Sequence, residues 1–217
     1  MRVKQLLIVV GSVLILNGCF DDNSPPVYED IEGVVLSGGE PLTDASVHIR
    51  NHFDPGGFIQ TDGENTVSVS FSLQLRDLVT GNLYKNGGGE PFAVFFEDSL
   101  NSGNHEVEIP DSLLMNGILA YEIRNSSSQI ATSLFVVNKP DSMLLDMIPF
   151  TTTNADGAFF MNKDALSLGQ SFSTANGGGF DVTDSLQILI TEGDEVIKTE
   201  KVRVKPDQSN YFEITID

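Results

Sequence analysis

From Ile31 onward the chain reads as short runs of alternating apolar and polar residues, separated by clusters of Gly, Asn, Asp and Pro. Alternation with a period of two places successive side chains on opposite faces of a strand, one face buried and the other wet. Ile31 to Leu36 is the first such run. Ala45, Val47 and Ile49 alternate with Ser46, His48 and Arg50, and Val67, Val69, Phe71, Leu73 and Leu75 alternate over nine residues. Further strands are predicted over 93–96, 105–109, 118–123, 130–137, 157–161, 185–190, 196–204 and 211–216. The separators Ser37 to Leu42, 86–89, Asn116-Gly117 and 176–179 carry the glycines and asparagines that turns require. No stretch sustains a period of 3.6; residues 162–168 are predicted to form at most one helical turn. Many short strands at this spacing predict an all-β chain of β-sandwiches.

The segment before Ile31 breaks this pattern. Arg2 and Lys4 precede an apolar run from Leu6 to Leu16, interrupted only by Gly11 and Ser12. A positive start and an apolar run too short to span a bilayer comfortably are the marks of an export signal. The run ends Leu16-Asn17-Gly18-Cys19, and Cys19 is the chain's one cysteine. This end resembles the lipobox of bacterial lipoproteins, with a branched apolar residue at −3, a small residue at −1 and Cys at +1; Asn17 departs from the small residue usual at −2. The resemblance implies cleavage after residue 18 and lipidation of Cys19, with the membrane as partner through the anchor. An ordinary secretory signal and an uncleaved helix are the other readings of the same run. Residues 19–29, with Asp21, Asp22, Pro25 and Pro26, then read as a flexible acidic tether. The Asp pair is also similar to surface-export signals of Bacteroidetes-type lipoproteins, so the cell surface and the periplasmic face of the outer membrane are both open.

Charge narrows the partners. The chain has 12 basic and 31 acidic residues, and loss of Arg2 and Lys4 would leave 10 against 31, a net of −21. Such a surface repels phosphate backbones and anionic lipid headgroups alike. It excludes nucleic acid as a partner and leaves membrane attachment to the lipid. A single cysteine also precludes an internal disulfide.

Two further resemblances divide the body. Ile31 to Arg50 reads Ile-x-Gly-x-Val and then Gly-x-Pro-Leu-x-x-Ala-x-Val, which resembles the start of a carboxypeptidase-regulatory-like domain, a transthyretin-type β-sandwich. The Thr-x-x-Asp-Gly-x-Phe element that continues that family occurs only at Thr153 to Phe159. Between the two lie Val67 to Leu75, Arg76 to Gly81, Ser102 to Val107 and Leu114 to Ile123. This middle pattern is similar to the Ig-like fold of flagellar hook-capping and type IX secretion sorting domains, although Leu119 stands where Tyr is usual and Pro110-Asp111 where an aromatic often precedes Asp. An internal position argues for a structural role over sorting. The expected organisation is a signal at 1–18, a lipidated tether at 19–29, a regulatory-like sandwich formed by 30–50 with 141–217, and an Ig-like sandwich inserted over 51–140. Consecutive sandwiches are the alternative.

Candidate chemistry is sparse. His48, His52 and His105 are the only histidines, and no His-Glu-x-x-His run is present. There is no Gly-x-Ser-x-Gly elbow, and the glycine runs at 87–89 and 177–179 lack the Lys-Ser/Thr of a phosphate-binding loop. Thr152 and Lys163 stand where a calcium loop around Asp156-Gly157 would need acids. The acids Asp181, Asp184, Glu192, Asp194 and Glu195 read as a solvated face, and Asn125-Ser126-Ser127 as a turn. No catalytic residue, metal or cofactor is expected. The expected function is a non-catalytic envelope lipoprotein that meets a protein or glycan partner or acts as a spacer. A carbohydrate-binding lipoprotein is the alternative, weakened by the absence of Trp and the presence of only 4 Tyr, and an enzyme of unrecognised type is the other.

Overall fold

The computed structural model describes residues 26–53, 60–61, 67–86, 89–173 and 179–217. It is nearly all β, with 60% of the described residues in strands and 8% helical, and its sheets pack face to face. The expected all-β fold class with packed sheets is therefore present.

One group of sheets is built from both ends of the chain. Strand β1 (Ile31–Ser37) lies between β12 (Ala158–Met161), antiparallel to it, and β16 (Asn210–Ile216), parallel to it; β2 (Glu40–Pro41) folds back on the end of β1. Parallel pairing needs a long crossover, and here the crossover is most of the molecule. A second sheet holds β3 (Ser46–Phe53) between the short β11 (Thr151–Thr152) and the 14-residue β14 (Gly179–Glu192). Strand β14 also pairs with β13 (Ser171–Ser173) and with β15 (Glu195–Arg203). The inward positions Ile31, Val35, Val47, Ile49, Phe159, Ile188, Ile190 and Ile214 are all buried.

The other group comes from the middle of the chain. Strands β4 (Gln60–Thr61), β10 (Gln129–Val137), β9 (Gly117–Asn125), β6 (Asp77–Lys85) and β7 (Ala93–Leu100) form a five-stranded sheet in that order. Strands β5 (Val67–Leu73) and β8 (Gly103–Ile109) form a two-stranded sheet. Val67, Val69, Phe71 and Leu73 are buried at every second position of β5, as the alternation requires. Leu75 lies beyond the strand's end and is 79% exposed, so the strand is shorter than its apolar pattern. Among the described residues, β4 to β10 pair only with one another, and β1 to β3 pair only with one another or with β11 to β16. The buried apolar residues of both groups nonetheless form one continuous cluster.

Local chemistry explains several elements. Asn154 Oδ1 accepts from the amides of Asp156 and Ala158, and Gly157 follows at φ +69°. A side chain at Gly157 would also meet the Val35 carbonyl at 2.7 Å. The Asp-Gly pair is thus a turn before β12. Asn125 Oδ1 caps the β9–β10 turn by accepting from the amides of Ser127 and Ser128. The one helical turn, α1 (Lys163–Leu166), starts at Asn162, whose side chain accepts from the Asp164 amide, and ends at Ser167 in the left-handed region. Two 3₁₀ turns, Asp111–Leu113 and Asp141–Asp146, were not expected. Strand β6 was not among the predicted strands either; Gly81 interrupts its apolar alternation. A register shift falls between Gly81 and Asn82 inside the strand, and a Cβ at Gly81 would strike the Phe95 ring at 2.6 Å.

The residues expected to form a tether reach the body before their end. The carbonyl of Val27 accepts from the Asp207 amide at 2.7 Å, and the Tyr28 ring lies where a Cβ at Gly169 would touch it.

Candidate functional site

Cys19, with the whole signal at 1–18 and most of the tether, lies outside the described residues, as do the glycines at 87–88 and 177–178. Within the body, the histidines occupy unrelated places. His48 is on β3, paired with Leu189, and 3% exposed. Val47 and Ile49 on either side of it are buried too, so both faces of β3 are covered at this point. The His48 Nδ1 has no hydrogen-bond partner, and Nε2 lies 3.4 Å from Thr191 Oγ1. Burial alone lowers the imidazole from its ordinary 6.5 to about 4, so it is neutral near pH 7. His105 is on β8, where its ring packs against Phe71 at 5.6 Å and Nε2 meets the Asn101 carbonyl at 2.8 Å. His52 falls on β3, and its side chain lies outside the description. His48 and His105 thus sit in different sheets with separate partners.

The acids of β14 do not converge. Asp181 and Asp184 stand near its start, where Asp181 accepts from Ser171 and Asp184 holds Arg203 at 2.7 Å. Glu192, Asp194 and Glu195 stand at the opposite end, around the turn into β15. Among the described residues no three His, Cys, Asp or Glu side chains are grouped to hold a metal ion. Among the same residues no helix is long and apolar enough to cross a membrane.

The most elaborate polar cluster joins the two groups of sheets. The Arg50 guanidinium donates to the Lys139 carbonyl at 2.9 Å and pairs with Asp141 at 2.5 Å. Asn116, 2% exposed, accepts from the Lys139 amide at 2.8 Å and donates to its carbonyl at 3.3 Å. The Lys139 side chain is fully buried, with its ammonium 3.3 Å from Asp111. That contact lacks hydrogen-bond geometry: Asp111 Oδ1 has no hydrogen-bond partner, so the pair is purely electrostatic. Asp111 and Asp141 occupy equivalent places, each following a proline at the start of a 3₁₀ turn, Pro110-Asp111-Ser112 and Pro140-Asp141-Ser142. Nearby, the Lys85 ammonium donates to the Phe150 carbonyl at 3.0 Å and lies 4.5 Å from the Phe150 ring centroid. Burial lowers its pKa below the ordinary lysine value. The Ile148 amide donates to the Leu114 carbonyl, and Asn86 donates to the Ser167 hydroxyl.

Every group in this cluster is held by the protein's own backbone or side chains. Its chemistry is that of a joint, with no nucleophile beside a base. Sequence reasoning missed it, because neither Arg50 nor Lys139 carries a local signature. The repeated Pro-Asp-Ser was the visible signal.

The chain matches no family model, no curated protein and no solved structure. The fold defines an all-β protein of packed sheets.

Proposed function

We propose that the protein is a non-catalytic lipoprotein of the bacterial cell envelope, anchored to the outer membrane through Cys19 and acting as an interaction or spacer module. The observation that carries this reading is the order Arg2 and Lys4, the apolar run Leu6 to Leu16, and Leu16-Asn17-Gly18-Cys19 at its end. A single thiol placed there has a use, since acyl chains on one residue hold a protein to a bilayer when more than one is attached. The acidic body supports the same reading, because attachment by charge to anionic lipid is unfavourable. The histidines support the non-catalytic part: His105 meets a backbone carbonyl, and His48 is buried with only the Thr191 hydroxyl near its ring, neither beside a carboxylate.

The body itself is proposed to be a sandwich of 30–50 with 141–217 that carries a second, inserted sandwich over 51–140. Strand pairing confined to each set supports this division, and so does the Arg50–Asp141 contact at its two boundaries. Insertion is tolerated where the ends of the inserted segment lie close together.

Fractionation of cells expressing the full chain tests the anchor. The wild type should remain with the outer membrane and Cys19→Ser should leave it. Protease shaving of intact cells then separates surface display from the periplasmic face. Retention of Cys19→Ser in the membrane would replace the lipid anchor with an uncleaved helix.

A further inference from the structure

The sheet β12-β1-β16 has one face in the core and one in solvent, and the solvent face is where two large aromatic rings are left bare. Glu32 of β1 is paired on one side with Phe160 of β12 and on the other with Tyr211 of β16. Laterally paired residues point to the same face of a sheet, so Phe160, Glu32 and Tyr211 form one row. Phe160 is 49% and Tyr211 63% exposed. The next rows are Ala158, Val34 and Glu213, and then Leu36 with Thr215. Alternate positions on these strands, Ile31, Val35, Phe159, Met161 and Ile214, point into the core.

We infer that this face binds a neutral, extended polysaccharide, its sugar rings stacked on Phe160 and Tyr211 and its hydroxyls donating to Glu32 and Glu213. The inference rests on the proposed reading of the protein as a binding module and is independent of the anchor. Three observations select this ligand. The two rings stand two strand spacings apart, about 10 Å; this is close to the separation of alternate rings in an extended β-1,4-linked chain, where every second ring turns the same face. The apolar C–H face of a pyranose packs on an aromatic ring, and the carboxylate between the rings meets the hydroxyls of the intervening sugar.

Charge is the second observation. The outward residues of the three strands include Glu32 and Glu213 and no Lys or Arg, so an anionic glycan or a phosphate-bearing ligand would be repelled. Size is the third. Two strands of seven residues and one of four span roughly 300 Å² of sheet face, well under the ~800 Å² that each partner contributes to a stable protein–protein interface. A sugar chain needs only such a narrow, flat strip. Low Tyr and absent Trp argued against a glycan site at the level of composition, but a platform of this kind needs only two rings.

Affinity electrophoresis of the full chain in detergent tests the inference, with gels containing hydroxyethylcellulose, glucomannan, laminarin or polygalacturonate. Retardation by at least one of the two β-1,4-linked neutral probes is expected, and none by polygalacturonate. Tyr211→Ala should weaken the retardation about tenfold and Phe160→Ala with Tyr211→Ala should abolish it, while Leu75→Ala, an exposed residue of the other group of sheets, should leave it unchanged. Both rings are solvent-facing, so the melting curve of each variant should match the wild type; Tyr211→Ser serves as an independent single variant. Absence of retardation in both neutral β-1,4 gels, or full retardation of the double variant, would overturn the platform. Release of shortened oligosaccharides from the probes, read by chromatography, would instead overturn the non-catalytic reading while leaving the platform standing.

Discussion

Arg50 and Asp141 are 91 positions apart in sequence and form an ion pair at 2.5 Å. Arg50 lies on β3, in the set of strands that holds β1 and β16, and Asp141 follows β10, the last strand of the other set. The same guanidinium holds the Lys139 carbonyl, so one side chain ties the departing strand β3 to the returning segment by two bonds.

Arg50→Ala is expected to lower stability by about 1–3 kcal/mol, through loss of a charge-assisted bond to the Lys139 carbonyl. The part belonging to Asp141 is smaller, because that carboxylate is half exposed. A double-mutant cycle of Arg50→Ala with Asp141→Ala, read by urea unfolding, should give a coupling below about 1 kcal/mol. A coupling equal to the whole Arg50 effect would mean that the ion pair, and not the carbonyl, fastens the joint.

Asn116 is the more critical partner of the same segment. It is nearly inaccessible and satisfies both the amide and the carbonyl of Lys139. Asn116→Ala leaves a buried amide without its acceptor and should cost about 2–3 kcal/mol. Hydrogen exchange should show the Lys139 amide among the slow amides of the wild type and markedly faster in the variant. A slow amide in both would remove Asn116 from this role.

His48 gives the fold a defined pH dependence. Its folded pKa of about 4 lies below the unfolded 6.5, so between these values the unfolded chain binds a proton that the native state refuses. Stability is fully present above about pH 6.5 and falls as pH drops toward about 4, by on the order of 3 kcal/mol. Carboxylates titrate in the same window, so the readout is the difference between the wild type and His48→Leu. The wild type should lose more stability than the variant between pH 6.5 and 4. Parallel curves would place a charged or solvated imidazole in the native state.

Gly157→Ala combines two penalties. A non-glycine residue at φ +69° is strained, and its Cβ would press on the Val35 carbonyl at 2.7 Å. The expected cost is about 2–4 kcal/mol, seen as a lower unfolding midpoint. Gly38, also at positive φ but with open space around it, should cost only about 1 kcal/mol when changed to Ala. Equal costs at the two positions would remove steric contact from the explanation.

The all-β class was legible because period-two alternation is written into each strand separately. Val67 to Leu73 announces β5, and the Asn154-Ala155-Asp156-Gly157 turn announces the start of β12, without reference to anything distant. Strand β6 was obscured because Gly81 interrupts its apolar alternation; the glycine admits the Phe95 ring, and that ring belongs to another strand. The Arg50–Lys139–Asn116 joint was illegible for the same reason, since its members are brought together only by the return of the chain. The Phe160–Glu32–Tyr211 row depends on two strand pairings, one parallel, between segments more than a hundred residues apart. Composition could count the aromatic residues but could not say which of them face solvent.

The central claim concerns Cys19, and the mass of the mature protein tests it most directly. Protein purified in detergent from the membranes of a bacterial host should lack residues 1–18 and begin at Cys19, with an N-terminal peptide heavier than its sequence by a diacylglycerol and, where the amine is acylated, a further fatty acid. An N-terminal peptide beginning at Met1, or one with an unmodified Cys19, would contradict the account.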